Sequence, residues 1–206
     1  MLDDLRIPGD TGDRTLAFRM AHADDVAGIV DLVESAYRGE ASRAGWTTEA
    51  DLLDGRRTDA EAVSTLLARP GNAMLLAEAD GQLVGCCHLE QPQPPPTAPA
   101  GSTSPFTAEA YFGMFAVRPG RQGQGWGRQI LAAAERLARD QWGASTMVLK
   151  TLAQRPDLIA WYERRGYRRT GETMPFPYEN ARFGVPKRPD LTFAVLAKPL
   201  AGGEGR

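Results

Sequence analysis

Phe115-Ala116-Val117-Arg118-Pro119-Gly120-Arg121-Gln122-Gly123-Gln124-Gly125-Trp126-Gly127-Arg128 is the most informative stretch of this chain. An apolar run that reads as a strand ends at Val117, Pro119 turns the chain, and glycines at 123, 125 and 127 open an amphipathic segment. In that segment Trp126, Ile130, Ala134 and Leu137, flanked by Leu131 and Ala138, build a broad helical stripe that Gly143 ends. Such a strand-to-helix turn is an anion cradle. The first N–H groups of a helix lack partners and lie at the positive end of its dipole, and glycines let a pyrophosphate approach the backbone. Arg121 and Arg128 add charge beside it.

A glycine-rich turn alone is weak evidence, so its spacing has to be weighed. A P-loop needs Gly-Lys-Ser/Thr at its end, which is absent here. A dinucleotide fold wants Gly-x-Gly-x-x-Gly in the first βα unit, whereas this turn is mid-chain with different spacing. Val117-x-Pro119 followed by Gln122-x-x-Gly125-x-Gly127 instead resembles the signature of the GNAT superfamily of acyl-CoA-dependent N-acyltransferases. A second element supports this: Leu158-Ile159-Ala160-Trp161-Tyr162-Glu163-Arg164-Arg165-Gly166-Tyr167 resembles that family's helix ending in Tyr-x-x-x-Gly-Phe/Tyr.

The resemblance spans about Leu16 to Leu200 and implies a mixed α/β, GNAT-like fold. Its central sheet would be mostly antiparallel, splayed at the acyl-CoA site and flanked by helices. It implies acetyl-CoA as cosubstrate and no metal. Pantetheine would pair with the exposed backbone of Phe115, Ala116 and Val117. The pyrophosphate would lie on the N–H groups of Gln122, Gly123, Gln124, Gly125, Trp126, Gly127 and Arg128. Tyr162 would donate a proton to the leaving thiolate. Many members also hold the pantetheine arm with an Asn before the tyrosine helix; Arg155-Pro156 occupies that region here, so that contact does not carry over.

The rest of the chain fits one domain. Thr15 to Met20 reads as a strand, and Val26, Ile29, Val30, Val33 and Tyr37 share a helical face. Gly39 to Gly45 breaks that helix, and Ala60 to Leu67 forms another. Ala73 to Ala79 and Leu83 to Leu89 flank Asp80-Gly81, a hairpin signal. Tyr111 to Val117, Thr146 to Leu149 and Leu191 to Leu196 read as further strands, and Pro156 opens the helix of Tyr162. The order is β-α-α-β-β-β-α-β-α-β-β. We expect a flexible arm over 1–14, a single domain over 15–200 carrying a Pro-rich loop at 91–107, and a tail at 201–206.

Composition sets bounds. The 206 residues suit one large domain that buries a core without disulfide or metal. Cys86 and Cys87, adjacent in an apolar run, read as reduced strand residues. No apolar run approaches the ~20 residues of a membrane span, and Met1-Leu2-Asp3-Asp4 carries acid where a signal peptide needs base. A cytoplasmic protein with no membrane partner is the expectation. The net charge of −2 argues against a nucleic-acid partner. It conceals an asymmetry: residues 1–90 hold 8 basic and 17 acidic residues (net −9), and 91–206 hold 16 and 9 (net +7). An acidic half suits a cation and an Arg-rich half a phosphate. A homodimer is the default oligomer.

Chemistry names the remaining candidates. A free alkyl amine has a pKa near ~10.4 and attacks a thioester only when neutral, so a base or water chain must take its proton. Glu109, at the start of a strand, is a candidate base, and Glu90, at another strand's end, a candidate acceptor contact; each could equally be a solvated surface acid. The oxyanion needs a donor, for which an unpaired strand N–H near Phe115 is suited. Tyr37 and Trp46 flank the break after the first helix, where the family forms its acceptor wall. His22 and His88 stand alone and read as structural. The expected reaction is transfer of acetyl to a primary amine, most simply a cationic small molecule, by direct attack in a ternary complex. A non-catalytic CoA-binding module, or an enzyme acting on proteins, is the alternative.

Overall fold

The computed structural model describes residues 16–93 and 108–200; the arm at 1–14, residues 94–107 of the Pro-rich loop and the tail at 201–206 lie outside the described residues. The strands are β1 (Ala17–Met20), β2 (Leu53–Asp54), β3 (Asn72–Ala79), β4 (Gln82–Glu90), β5 (Glu109–Val117), β6 (Thr146–Leu152), β7 (Arg168–Pro175), β8 (Val185–Pro186) and β9 (Thr192–Pro199). The helices are α1 (Val26–Tyr37), α2 (Gly39–Ser42), α3 (Ala60–Ala68), α4 (Trp126–Trp142) and α5 (Pro156–Glu163). Seven strands form one sheet in the order β1-β3-β4-β5-β6-β9-β7, and β2 pairs with β8 apart from it. Of the six pairings in the main sheet only β5 with β6 is parallel, so the fold is mixed α/β on a mostly antiparallel sheet. Every strand and helix bounded in the sequence is present. The break after Tyr37 is filled by the single turn of α2.

Strand alternation sorts the core into two layers. Leu75, Ala77, Cys87, Leu89 and Phe112 face α4 and α5, whose Ile130, Leu137, Ile159 and Tyr162 pack on them. Met74, Leu76 and Cys86 face α1 and α3 through Ile29, Leu32, Val33 and Val63. Burying each such Leu, Ile or Phe removes apolar surface worth roughly 1.5–3 kcal/mol. The β3–β4 hairpin turns on Asp80 and Gly81, with φ of 52° and 72°; two positive values in succession are what a two-residue type I′ connection requires.

The centre of the sheet is opened in two ways. β5 pairs with β6 only from Glu109↔Thr146 to Phe112↔Leu149, so its last five residues leave β6 behind. On its other edge β5 carries a bulge: Cys86 pairs with Ala116 but His88 with Gly113, which places three steps of β5 against two of β4. Met114 sits there at φ 41°, left-handed for a non-glycine residue. The extra residue reverses the alternation. Ala110 and Phe112 before the bulge, and Phe115 and Val117 after it, all face the same layer. Met114 and Phe115 therefore lack a paired residue on either neighbouring strand.

Candidate functional site

The cradle stands at the open end of β5. Gly123 and Gly125 have φ of 83° and 78°, and Gly125 caps α4 in the left-handed region, a backbone that L side chains avoid. This geometry turns the chain so that six successive N–H groups, Gln122 to Gly127, find no acceptor among the described residues; intrahelical bonding resumes with Arg128 and Gln129 to the Gly125 carbonyl. Gly127 has to be small for another reason: a Cβ would lie 3.3 Å from the Phe115 ring and 3.5 Å from that of Trp161.

Beside these donors lies a cavity of about 390 Å³, lined by Thr47, Phe115, Val117, Gly125, Arg128 and Arg165, among others. The Arg165 guanidinium stacks 3.5 Å over the Trp161 ring and donates to the Trp161 carbonyl at 2.6 Å, which fixes a cation at the rim. A flexible, apolar arm ending in phosphates matches these parts: an unpaired strand edge, stacked aromatic rings, free N–H groups and two arginines.

Two side chains set the wall of this cavity. Gln122 accepts the Trp46 N–H and donates to the Val117 carbonyl at 2.9 Å and Thr47 Oγ1 at 3.3 Å. Arg155, 8% exposed, donates to the carbonyls of Trp46 (2.8 Å) and Thr48 (2.8 Å) and pairs with Asp157 at 3.2 Å. Together they hold the Trp46–Thr48 segment between the cradle and α5. In the region where the family often has its Asn, the chain thus spends an arginine on its own backbone.

On the other face of the sheet is a larger cavity of about 890 Å³. Its floor follows strand register: Glu109 and Tyr111 alternate on β5, Glu90 pairs with Tyr111 from β4, and Val148 pairs with it from β6, with Lys150 two residues on. Phe176 and Phe183, from the segment between β7 and β9, line it too, and Arg38 ties Phe183 back by a 3.4 Å bond to its carbonyl. The Tyr111 ring crosses Gly113 so closely that a Cβ there would come within 2.8 Å of its hydroxyl, which sets that hydroxyl beside the bulge.

The expected site residues divide between these places. Phe115 and Val117 line the smaller cavity, as do Gln122, Gly123, Gly125, Gly127 and Arg128. Ala116 is fully buried in the α1 layer. Gln124 is exposed, and the Trp126 side chain is buried in the core, so these two offer the cradle their backbone. Glu90 and Glu109 line the larger cavity. Trp46 lines the smaller cavity instead. Tyr37 lines neither; its hydroxyl donates to the Phe115 carbonyl at 2.6 Å.

Tyr162 is 5% exposed and wedged edge-on between Trp161 (5.0 Å between ring centres) and Tyr167 (5.6 Å). Its hydroxyl has no hydrogen-bond partner among the described residues, and burial holds its pKa well above the ordinary phenol value, so it stays protonated. Tyr111, Arg57 and Lys150 were not singled out from the sequence. The strand period could have found Tyr111, two residues from Glu109 and therefore on its face.

His88 proves to line the larger cavity, with Nε2 2.8 Å from Asn72 Oδ1. Burial pushes its pKa down from 6.5 to about 4, so the ring is neutral at pH 7. The unfolded chain then takes up this proton first as pH falls. The stability His88 contributes is full above pH 6.5 and lost as pH drops through about 4. A shift of that size corresponds to about 3 kcal/mol. His88→Gln should remove that share of the acid sensitivity, read from urea unfolding at pH 7 and pH 4. Parallel pH dependence in the two proteins would rule the assignment out.

Among known proteins, the model of the acetyltransferase (GNAT) family matches residues 29–167. No curated protein matches the chain. A Salmonella typhimurium protein described as an acetyltransferase, solved with its cofactor acetyl-CoA, is 22% identical with a TM-score of 0.59, covering 92% of this chain and 96% of that one. The ribosomal-protein-alanine N-acetyltransferase of Brucella melitensis is 21% identical, TM-score 0.60, over 88% and 98%. The spermidine/spermine N-acetyltransferase of Vibrio cholerae is 12% identical, TM-score 0.59, over 90% and 92%. At such identities the likeness is one of fold.

Proposed function

The chain belongs to the GNAT acetyltransferase family, and from that premise we propose that it transfers the acetyl group of acetyl-CoA to a primary amine of a small molecule, by direct attack in a ternary complex. The observation that carries this reading is the opened seam of β5, with a donor-lined cavity on one face, lined by Phe115 and Val117, and a charged cavity on the other, lined by Glu109 and Tyr111. Acetyl-CoA supplies an activated acyl carbon and a thiol leaving group.

The protein's own residues have separable tasks. The N–H groups from Gln122 to Gly127, with Arg128 and Arg165 at the rim, hold phosphate charge. The backbone of Met114 and Phe115, out of register with both neighbouring strands, is where an N–H would meet the oxyanion that develops as the amine attacks. Glu109 or Glu90, both on the acceptor side, receives the amine proton directly or through water. Burial keeps Tyr162 protonated, so its O–H donates a hydrogen bond to the departing thiolate. A thiol of pKa about 8.5 is the stronger acid, so the phenol stabilises that charge and keeps its proton.

Incubating the protein with acetyl-CoA and a panel of primary amines should release free thiol at a rate that depends on the amine. Calorimetry with acetyl-CoA should give one saturable site, weaker for dephospho-CoA if Arg128 or Arg165 meets the 3′-phosphate. Saturable binding with no amine-dependent thiol release across the panel would instead identify a CoA-binding module. The names of the structural neighbours span a ribosomal-protein alanine and a polyamine, so the fold leaves the acceptor open.

A further inference from the structure

The charges of the larger cavity select among acceptors. Four glutamates line it, but Glu49 is taken by Arg38 at 2.6 Å, in a pair whose side chains are both largely buried. Glu109 and Glu172 have no ion-pair partner among the described residues, and Glu90 has only the neutral His88 at 3.8 Å. Two cations line the same space, Arg57 and Lys150, and no carboxylate lies within ion-pair distance of either among the described residues. The other two lysines, Lys187 and Lys198, pair with Asp54 and Glu135 at 2.8 and 2.6 Å. Three free carboxylates and two free cations therefore face one cavity.

The cations are set close to the bulge. Lys150 Nζ lies 5.9 Å from the centre of the Tyr111 ring, the ring that crosses Gly113. Arg57 is anchored through its backbone: Glu34 Oε1 accepts the N–H groups of Arg57 (2.6 Å) and Thr58 (2.8 Å), so this carboxylate is spent on the main chain and not on the guanidinium. The guanidinium then lies 5.4 Å over the ring of Tyr37, whose hydroxyl is on the Phe115 carbonyl. One aromatic ring thus separates each cation from the point where β5 opens.

From this arrangement we propose that the acceptor is amphoteric: a small primary amine that also carries an anionic group, carboxylate or phosphonate, within a few bonds, with Arg57 and Lys150 holding the anion and the free glutamates the ammonium. A polycation would meet two unpaired cations beside the reacting centre, and a polyanion three carboxylates; a molecule with both signs fits both sets. Leu152, Phe193 and Val195 supply an apolar wall for its remainder. The inference rests on the acetyl-transfer reading of the site.

The test compares L-amino acids of varied side chain, two aminoalkyl phosphonates, the methyl esters of the amino acids, and spermidine, with acetyl-CoA saturating. The best amphoteric acceptor should exceed its neutralised partner in kcat/KM by about tenfold, the scale of a lost charge-assisted contact. Whether carboxylate or phosphonate leads identifies the anion. In Arg57→Gln and Lys150→Gln the acid-over-ester ratio should collapse toward one, with acetyl-CoA affinity unchanged. A wild-type preference for esters or spermidine, or a ratio untouched in both variants, overturns the proposal. The same pairs titrated calorimetrically into protein carrying CoA give the comparison without chemistry. Tighter acid with no turnover would sink acetyl transfer alone, and equal or tighter ester would sink the amphoteric acceptor alone.

Discussion

Tyr162→Phe should lower kcat by about 10²–10³-fold, the range lost when one preorganised donor to a developing negative charge is removed, while acetyl-CoA binds as in the wild type. The substitution isolates the hydroxyl. The ring is held by edge-on contacts with Trp161, Tyr167 and Phe112, none of which needs the oxygen. The hydroxyl makes no hydrogen bond among the described residues, so its removal strands no partner and should change stability by less than about 1 kcal/mol. Burial keeps the phenol protonated far into alkali, so the wild-type pH profile should show no alkaline loss from Tyr162 itself. Steady-state kinetics from pH 6 to pH 9.5, with calorimetric Kd values, separates the effects. A variant whose turnover stays within about twofold of wild type at every pH takes Tyr162 out of the mechanism.

Features carried by local chemistry were legible in the sequence. Asp80-Gly81 can make only a few turns and makes the one expected, and Gly123 and Gly125 mark a left-handed backbone that few other residues adopt. The apolar stripe of α4 has one reading because its period is unambiguous. The bulge at Met114 was not read from the sequence. Gly113, alone inside an apolar strand, is its one local sign; that an extra residue follows it is a count against a partner strand.

Arg155 escaped for a related reason. In an arginine-rich half it looks like one more surface cation, yet it is buried on carbonyls more than a hundred positions away. The charge asymmetry also fails to map onto the larger cavity. Glu49, Arg57 and Glu90 come from the acidic half, and Glu109, Lys150 and Glu172 from the basic one. In the sheet β1, β3 and β4 of the acidic half lie to one side and β5, β6, β9 and β7 of the basic half to the other. The halves meet at the β4–β5 seam, and both signs face one cavity where linear composition shows only separation.

Gly125→Val should weaken acetyl-CoA binding by about 10²-fold or more while leaving a folded protein. Steric room does not decide this: a Cβ on Gly125 meets nothing within 4 Å. Backbone conformation does. At φ 78° an L residue pays about 1–2 kcal/mol, and a β-branched one more, so the loop relaxes toward negative φ or keeps the strain. Keeping the strain costs a few degrees of melting temperature in a domain of this size and puts an isopropyl group at the mouth of the donor array. Relaxing turns the N–H groups around Gly125 away from one another. Either way two or more donors to a charged ligand are lost, each worth about 1.5–3 kcal/mol, and each 1.4 kcal/mol is tenfold in affinity. Gly125→Ala, with the same φ problem and less bulk, should fall between the two. Circular dichroism establishes that both variants fold, and calorimetry reads the affinity. Wild-type affinity in folded Gly125→Val would move the phosphate site away from the head of α4, and the reading of Gln122 to Arg128 as a cradle would go with it.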